Sequence, residues 1–155
     1  MIRTLGPVAT LDYHDSQSVT LARPLAPLQA WNMIMASPQP LLGAAFRIRD
    51  AISARFGVKR IGGFSGQRVS EVSAGDYLDF FLVEETTPER LVLTERDRHL
   101  DVMTCVSCAG PVLTITSSVI THNRFGRAYM VPVGLAHRLI VRNMLARLRR
   151  SVMTQ

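Results

Sequence analysis

The apolar residues of this chain change their spacing once, and that change limits the folds open to it. From Gln67 to Val119 they recur at alternate positions, and from Val133 to Val152 at every third or fourth. A period of two belongs to a strand with one buried face, and a period near 3.6 to an amphipathic helix. Strands in series followed by one long helix bury both apolar faces most simply by laying the helix on the sheet. We therefore expect an α+β fold in which a curved antiparallel sheet wraps a long C-terminal helix and leaves an apolar pocket between them.

The strand-like runs are Gln67 to Val72, Asp76 to Glu85, Arg90 to Arg96 and His99 to Val119, the last broken into two at Ala109-Gly110-Pro111. Ala74-Gly75 and Thr86-Thr87-Pro88 punctuate the others as turns. Before the meander, residues 17 to 22 read as a first strand that ends ahead of Pro24. Two short helices follow, Leu28 to Ala36 opened by Pro27, and Leu41 to Phe56 with Gly57 as its C-terminal cap. The second helix has Leu41, Ala45, Ile48, Ile52 and Phe56 on one face, which is expected to be its buried face. In the last helix His137, Ile140, Val141, Met144, Leu145, Leu148 and Val152 share one stripe.

At 155 residues the chain has the length of one domain, residues 1–155, able to bury roughly 70% of its unfolded surface. No run approaches the ~20 apolar residues of a membrane span, and no secretory signal opens the chain, so a cytoplasmic protein with reduced Cys105 and Cys108 is expected. The net charge of +6 comes from 18 basic residues, of which only Lys59 is a lysine, against 12 acidic ones. Most arginines alternate with acids. The last helix, with Arg138, Arg142, Arg147, Arg149 and Arg150, has none beside it, yet cations near a helix C-terminus are favoured by the helix dipole, and nucleic acid is not the expected partner.

A two- or four-residue loop around Gly110-Pro111 sets His99 opposite His122, Asp101 opposite Ile120 and Cys105 opposite Thr116. His99, Asp101 and His122 then cluster on one face of the sheet, with Met103, Cys105, Ser107, Thr114, Thr116 and Ser118. Leu100, Val102, Val106, Leu113, Ile115 and Val119 occupy the other face. The second set is more apolar and should meet the helix, leaving the histidine cluster outside, unless a bulge reverses His99 or His122.

Cys105-Val106-Ser107-Cys108 has the spacing of redox and zinc sites, but in a strand its two cysteines point to opposite faces, so they read as packed side chains. His99, Asp101 and His122 could hold a metal or move protons, though a surface or structural hydrogen-bond cluster is the favoured reading. His137 interrupts an apolar stripe and must find a hydrogen-bond partner there. Asn123, Arg127 and Tyr129 precede it and could supply polar contacts at a pocket mouth. No hydrolase, zinc-protease, Walker or dinucleotide fingerprint occurs, and no cofactor or metal is expected.

The blocks Asp97-Arg98-His99-Leu100-Asp101, Thr121-His122-Asn123-Arg124-Phe125-Gly126-Arg127-Ala128-Tyr129 and His137-Arg138-Leu139-Ile140-Val141-Arg142 resemble the bacterial domain-of-unknown-function family 2867. Asp12-Tyr13-His14-Asp15 and the Arg49-Asp50 helix fit the same pattern. The resemblance implies a START-like (SRPBCC), helix-grip domain. It also implies, through relatives fused to nucleotide-binding domains, a dehydrogenase-like partner protein, a domain that this sequence lacks.

The reading that results is a binding protein for a small apolar or amphipathic metabolite. Phe80, Leu82, Val102, Ile115, Met144 and Leu148 would line its cavity, with polar contacts from His99, Asp101, His122, Asn123, Arg127, Tyr129 and His137. The alternative is a small cyclase, dehydratase or hydrolase using His99, Asp101, His122 or His137 as acid or base, which requires at least two of these groups to converge on the cavity. A third is nucleic-acid binding through the last helix. An exposed Leu139 and a flat outer sheet face leave room for a homodimer.

Overall fold

A computed structural model describes residues 1–37, 39–55 and 64–155. One antiparallel sheet runs in the order β1-β6-β5-β4-β3-β2. The strands are β1 (Tyr13–Thr20), β2 (Tyr77–Leu78), β3 (Phe81–Thr86), β4 (Arg90–Arg96), β5 (Leu100–Ala109) and β6 (Val112–Thr121). The helices α1 (Pro27–Ala36) and α2 (Pro40–Arg55) follow β1, and α3 (Arg124–Met153) ends the chain. The sheet curves around α3, an arrangement consistent with a helix grip. Among the described residues no helix is long and apolar enough to cross a membrane.

The central hairpin has the register its turn dictates. Ala109 pairs with Val112, Asp101 with Ile120 and Cys105 with Thr116. Gly110 takes φ 58°, the conformation a tight two-residue hairpin needs and a side chain resists. The inner face of this hairpin meets α3, where Leu113, Ile115, Val141, Leu145, Leu148 and Val152 are buried together.

Several elements differ from the sequence reading. The first strand starts at Tyr13, not residue 17, because all of Tyr13–Thr20 pairs with β6. Gln67 to Val72 is not a strand. The Asn32 side chain holds it instead, donating to the Val69 carbonyl at 2.7 Å and accepting from the Val69 amide at 3.2 Å. The run expected from Asp76 to Glu85 is two strands around a tight turn, with Asp79 at φ 55°. The last helix begins nine residues early, at Arg124, capped by Asn123 and continuing through Pro132. In α2 most of the face expected to be buried is outside, since Leu41 is 60% and Ile48 62% exposed while Ser53 is buried, and of that face Ala45 lines the cavity. Phe56 and the Gly57 cap lie outside the described residues.

The outer sheet face is not bare. Residues 1–6 lie across it, with Arg3 Nη1 2.6 Å from Glu85 Oε2 and the Leu5 amide donating to Ser118 Oγ at 3.1 Å. Leu5 packs on Val92, Met103 and Cys105. The flat face offered to a second copy in the sequence reading is thus covered in its middle by residues 1–6, while Ser16, Ser18, Arg96 and His122 stay exposed. Cys105 sits under that cover and Cys108 on the opposite side of the strand, both as free thiols. Burial pushes the Cys105 thiol up and the Cys108 thiol to about 11, so neither is activated for redox or metal chemistry.

Candidate functional site

Between the inner sheet face, α1, α2 and α3 lies a cavity of about 250 Å³, partly open to solvent. Its wall is almost wholly apolar. α1 supplies Trp31 and Ile34, α2 supplies Leu42 and Phe46, and the turn after β2 supplies Phe80. These rings pack edge to face, with Trp31 5.9 Å from Phe81 and Phe46 5.9 Å from Phe80 between centroids. The sheet floor is Val102, Ile115 and Val119, and α3 contributes Ile140, Val141 and Met144.

Two polar groups interrupt this wall. One gathers where α2 meets the start of α3, from Arg49, Glu95, Asp97, His99 and Tyr129. Arg49 hydrogen-bonds the Tyr129 phenol, and burial, which Arg49 only partly opposes, raises the pKa of that phenol. The other is formed by Tyr13, Thr104, Ser117 and His137, one residue each from β1, β5, β6 and α3. Here His137 Nδ1 lies 3.2 Å from the Tyr13 hydroxyl and Nε2 3.4 Å from Ser117 Oγ. The Tyr13 ring reaches α3 because residue 134 is glycine: a Cβ there would stand 2.8 Å from the ring.

Of the expected lining residues, Phe80, Val102, Ile115 and Met144 are on the cavity wall. Leu82 is not, since its partner Thr94 lies on the outer side of the sheet, and Leu148 is buried in the core. Among the polar set, Tyr129 and His137 line the cavity. Asp101 and His122 pair on the outer face at 3.0 Å, as the register predicts. His99 departs from them and lines the cavity. The Asp97 carboxylate accepts the amides of His99 at 2.7 Å and Leu100 at 2.9 Å, turning the chain before β5 begins. His99 then packs against Phe125, with ring centroids 4.6 Å apart and planes inclined by 52°. Asn123 is exposed and caps α3 by accepting the Gly126 amide at 2.9 Å, and Arg127 is exposed away from the wall. No three His, Cys, Asp or Glu side chains among the described residues form a metal-sized group.

Sequence reasoning missed Arg49, Tyr13, Thr104 and Ser117. Thr104 and Ser117 were within reach, because they are direct partners on the same face as Val102 and Val119.

A family model described as Protein of unknown function (DUF2867) matches residues 7–144. The chain belongs to that family. The match spans β1 to Met144 and so includes every residue of both polar groups. No curated protein and no solved structure matches the chain.

Burial lowers the pKa of His137 below its ordinary 6.5, with Asp15 opposing and Arg138 assisting. A depressed folded-state pKa means that the unfolded chain takes up the proton first. Stability from this residue is therefore complete above pH 6.5 and is lost as pH falls from there through the folded value. Urea midpoints measured across this range should fall in the wild type and fall less in His137→Gln; parallel curves would remove His137 as the cause.

Proposed function

We propose that the protein binds a small apolar or amphipathic molecule in this cavity, as a START-like binding protein. The observation that carries the reading is an apolar void between the sheet and α3. Interiors normally pack to crystal-like density, and a void of this size leaves wall atoms without partners unless something occupies it. Apolar walls with a few fixed polar groups are also the usual form of a small-molecule site.

The acid–base reading draws support from His99 and His137, which both line the cavity. Their ring nitrogens are engaged elsewhere. His99 Nε2 is 3.2 Å from Arg98 Nε and Nδ1 2.8 Å from the Asn123 amide nitrogen, while His137 meets Tyr13 and Ser117. Rings held in this way favour binding over proton transfer.

Titration with the fluorescent probe N-phenyl-1-naphthylamine tests the proposal. The expected result is saturable enhancement with quenching of Trp31, and a loss of affinity of about tenfold or more in Met144→Trp, equivalent to about 1.4 kcal/mol. A wild type without saturable binding, or a folded Met144→Trp that binds equally well, refutes it.

A further inference from the structure

We infer that Thr104, Ser117 and His137 form a polar anchor on the cavity wall that selects neutral molecules carrying a hydroxyl on an apolar body. The inference rests on the binding reading above and specifies its ligand class.

The argument follows the protons. The Tyr13 hydroxyl has one proton and donates it to the Gly134 carbonyl at 3.1 Å. Its contact with His137 Nδ1 must then be one it accepts, which puts the imidazole proton on Nδ1. Nε2 of the neutral ring is left as an acceptor. Ser117 donates its only hydroxyl proton there and presents lone pairs to the cavity.

Thr104 is the direct cross-strand partner of Ser117, so the two hydroxyls stand side by side on the wall. Thr104 is only 8% exposed and lines the cavity, and its hydroxyl has no hydrogen-bond partner among the described residues. The hydroxyl is not one of the sealed polar atoms left without a partner, so it is open to the cavity, where a bound group can take the place of water. The wall thus offers one donor, Thr104, beside one acceptor, Ser117.

A ligand hydroxyl satisfies both at once, donating to Ser117 and accepting from Thr104. A carbonyl or ether only accepts. A carboxylate cannot donate, and the arginine that lines the cavity, Arg49, is already bonded to Tyr129 in the other polar group. Ser117, His137 and Tyr13 have the order of a nucleophile, a base and an orienting group. Tyr13 is uncharged and turns its proton to Gly134, so the group that orients the ring is not a carboxylate, and the line serves recognition better than acyl transfer.

Competition against N-phenyl-1-naphthylamine with naphthalene, 2-naphthol and 2-naphthoate tests this. In the wild type 2-naphthol should displace the probe about 5–10-fold more strongly than naphthalene, the effect of about one net hydrogen bond, and 2-naphthoate should be weakest. In Thr104→Val/Ser117→Ala the naphthol preference should fall to within about twofold while naphthalene competes as before, which also shows that the cavity is intact. Equal competition by naphthol and naphthalene in the wild type, or a preference that survives the double variant, overturns the anchor while leaving the cavity reading standing. Absence of probe binding to the wild type removes the cavity reading and the anchor with it.

Discussion

Replacing Gly126 by alanine should lower stability by about 3 kcal/mol, among the larger losses a single methyl can cause. Gly126 lies in the first turn of α3, where the helix crosses the end of the β5–β6 hairpin. A Cβ at this position would fall 2.4 Å from the His99 carbonyl oxygen and 3.3 Å from Thr121 Cβ. The carbonyl cannot yield easily, because it accepts the His122 amide at 2.8 Å and closes the hairpin. The helix cannot yield easily either, since Asn123 pins its first turn through the Gly126 amide. Alanine is the better helix former by about 1 kcal/mol, but that gain is smaller than the strain of moving two backbones apart. The expected fall in melting temperature is about 6–12 °C. Gly134→Ala is the comparison, for its Cβ would meet the Tyr13 ring, a side chain that can turn aside. An unchanged melting temperature in Gly126→Ala would mean that α3 sits farther from the hairpin than described.

The hairpin register and the inner stripe of α3 were legible because each follows from one periodicity with one partner. A two-residue turn leaves no freedom in pairing, and Val141, Leu145, Leu148 and Val152 form an unbroken apolar row. α2 was not legible for the opposite reason. Its apolar residues surround the helix, so period alone cannot choose between the arc of Leu41 and Ile48 and the arc of Leu42 and Phe46. Tertiary contact chooses: Phe46 packs on Phe64 at 5.3 Å, which rolls Arg49 and Ser53 toward the cavity. His99 was misplaced because a register argument holds only inside a ladder, and the Asp97 turn takes His99 out of it. The early start of α3 was hidden by Pro132, which reads as a boundary although a long helix can carry it at the loss of one backbone hydrogen bond. The candidate site suffered from the first two misreadings, since Arg49 was missed and His99 was set on the outer face, whereas Tyr129 was expected at the pocket mouth even with the start of α3 misplaced. Its other polar group depends on β1 reaching back to Tyr13, four residues before the β-prone run begins.

Trp31→Ala should have the largest effect, a loss of about 3–5 kcal/mol. Trp31 is 6% exposed on α1 and stands between the buried core and the cavity, with Phe64 at 5.6 Å and Phe81 at 5.9 Å in edge-to-face contact. Each such ring pair contributes about 0.5–1.5 kcal/mol beyond area burial, and truncation removes both. Because the indole already forms part of the cavity wall, the space it leaves should join the cavity rather than become a sealed hole. That continuity predicts a second, opposite effect: pyrene, a rigid ring system that can use the added space, should bind the variant more tightly than the wild type. Binding to the folded state alone adds RT ln(1 + [L]/Kd), about 2.7 kcal/mol at a hundredfold excess over Kd, so pyrene should restore much of the lost stability. Denaturation followed by circular dichroism, with and without pyrene, measures both effects, since the indole fluorophore is gone. A destabilised variant that pyrene does not rescue would separate the Trp31 void from the cavity, and a variant as stable as wild type would mean that the indole is not packed between α1 and the sheet.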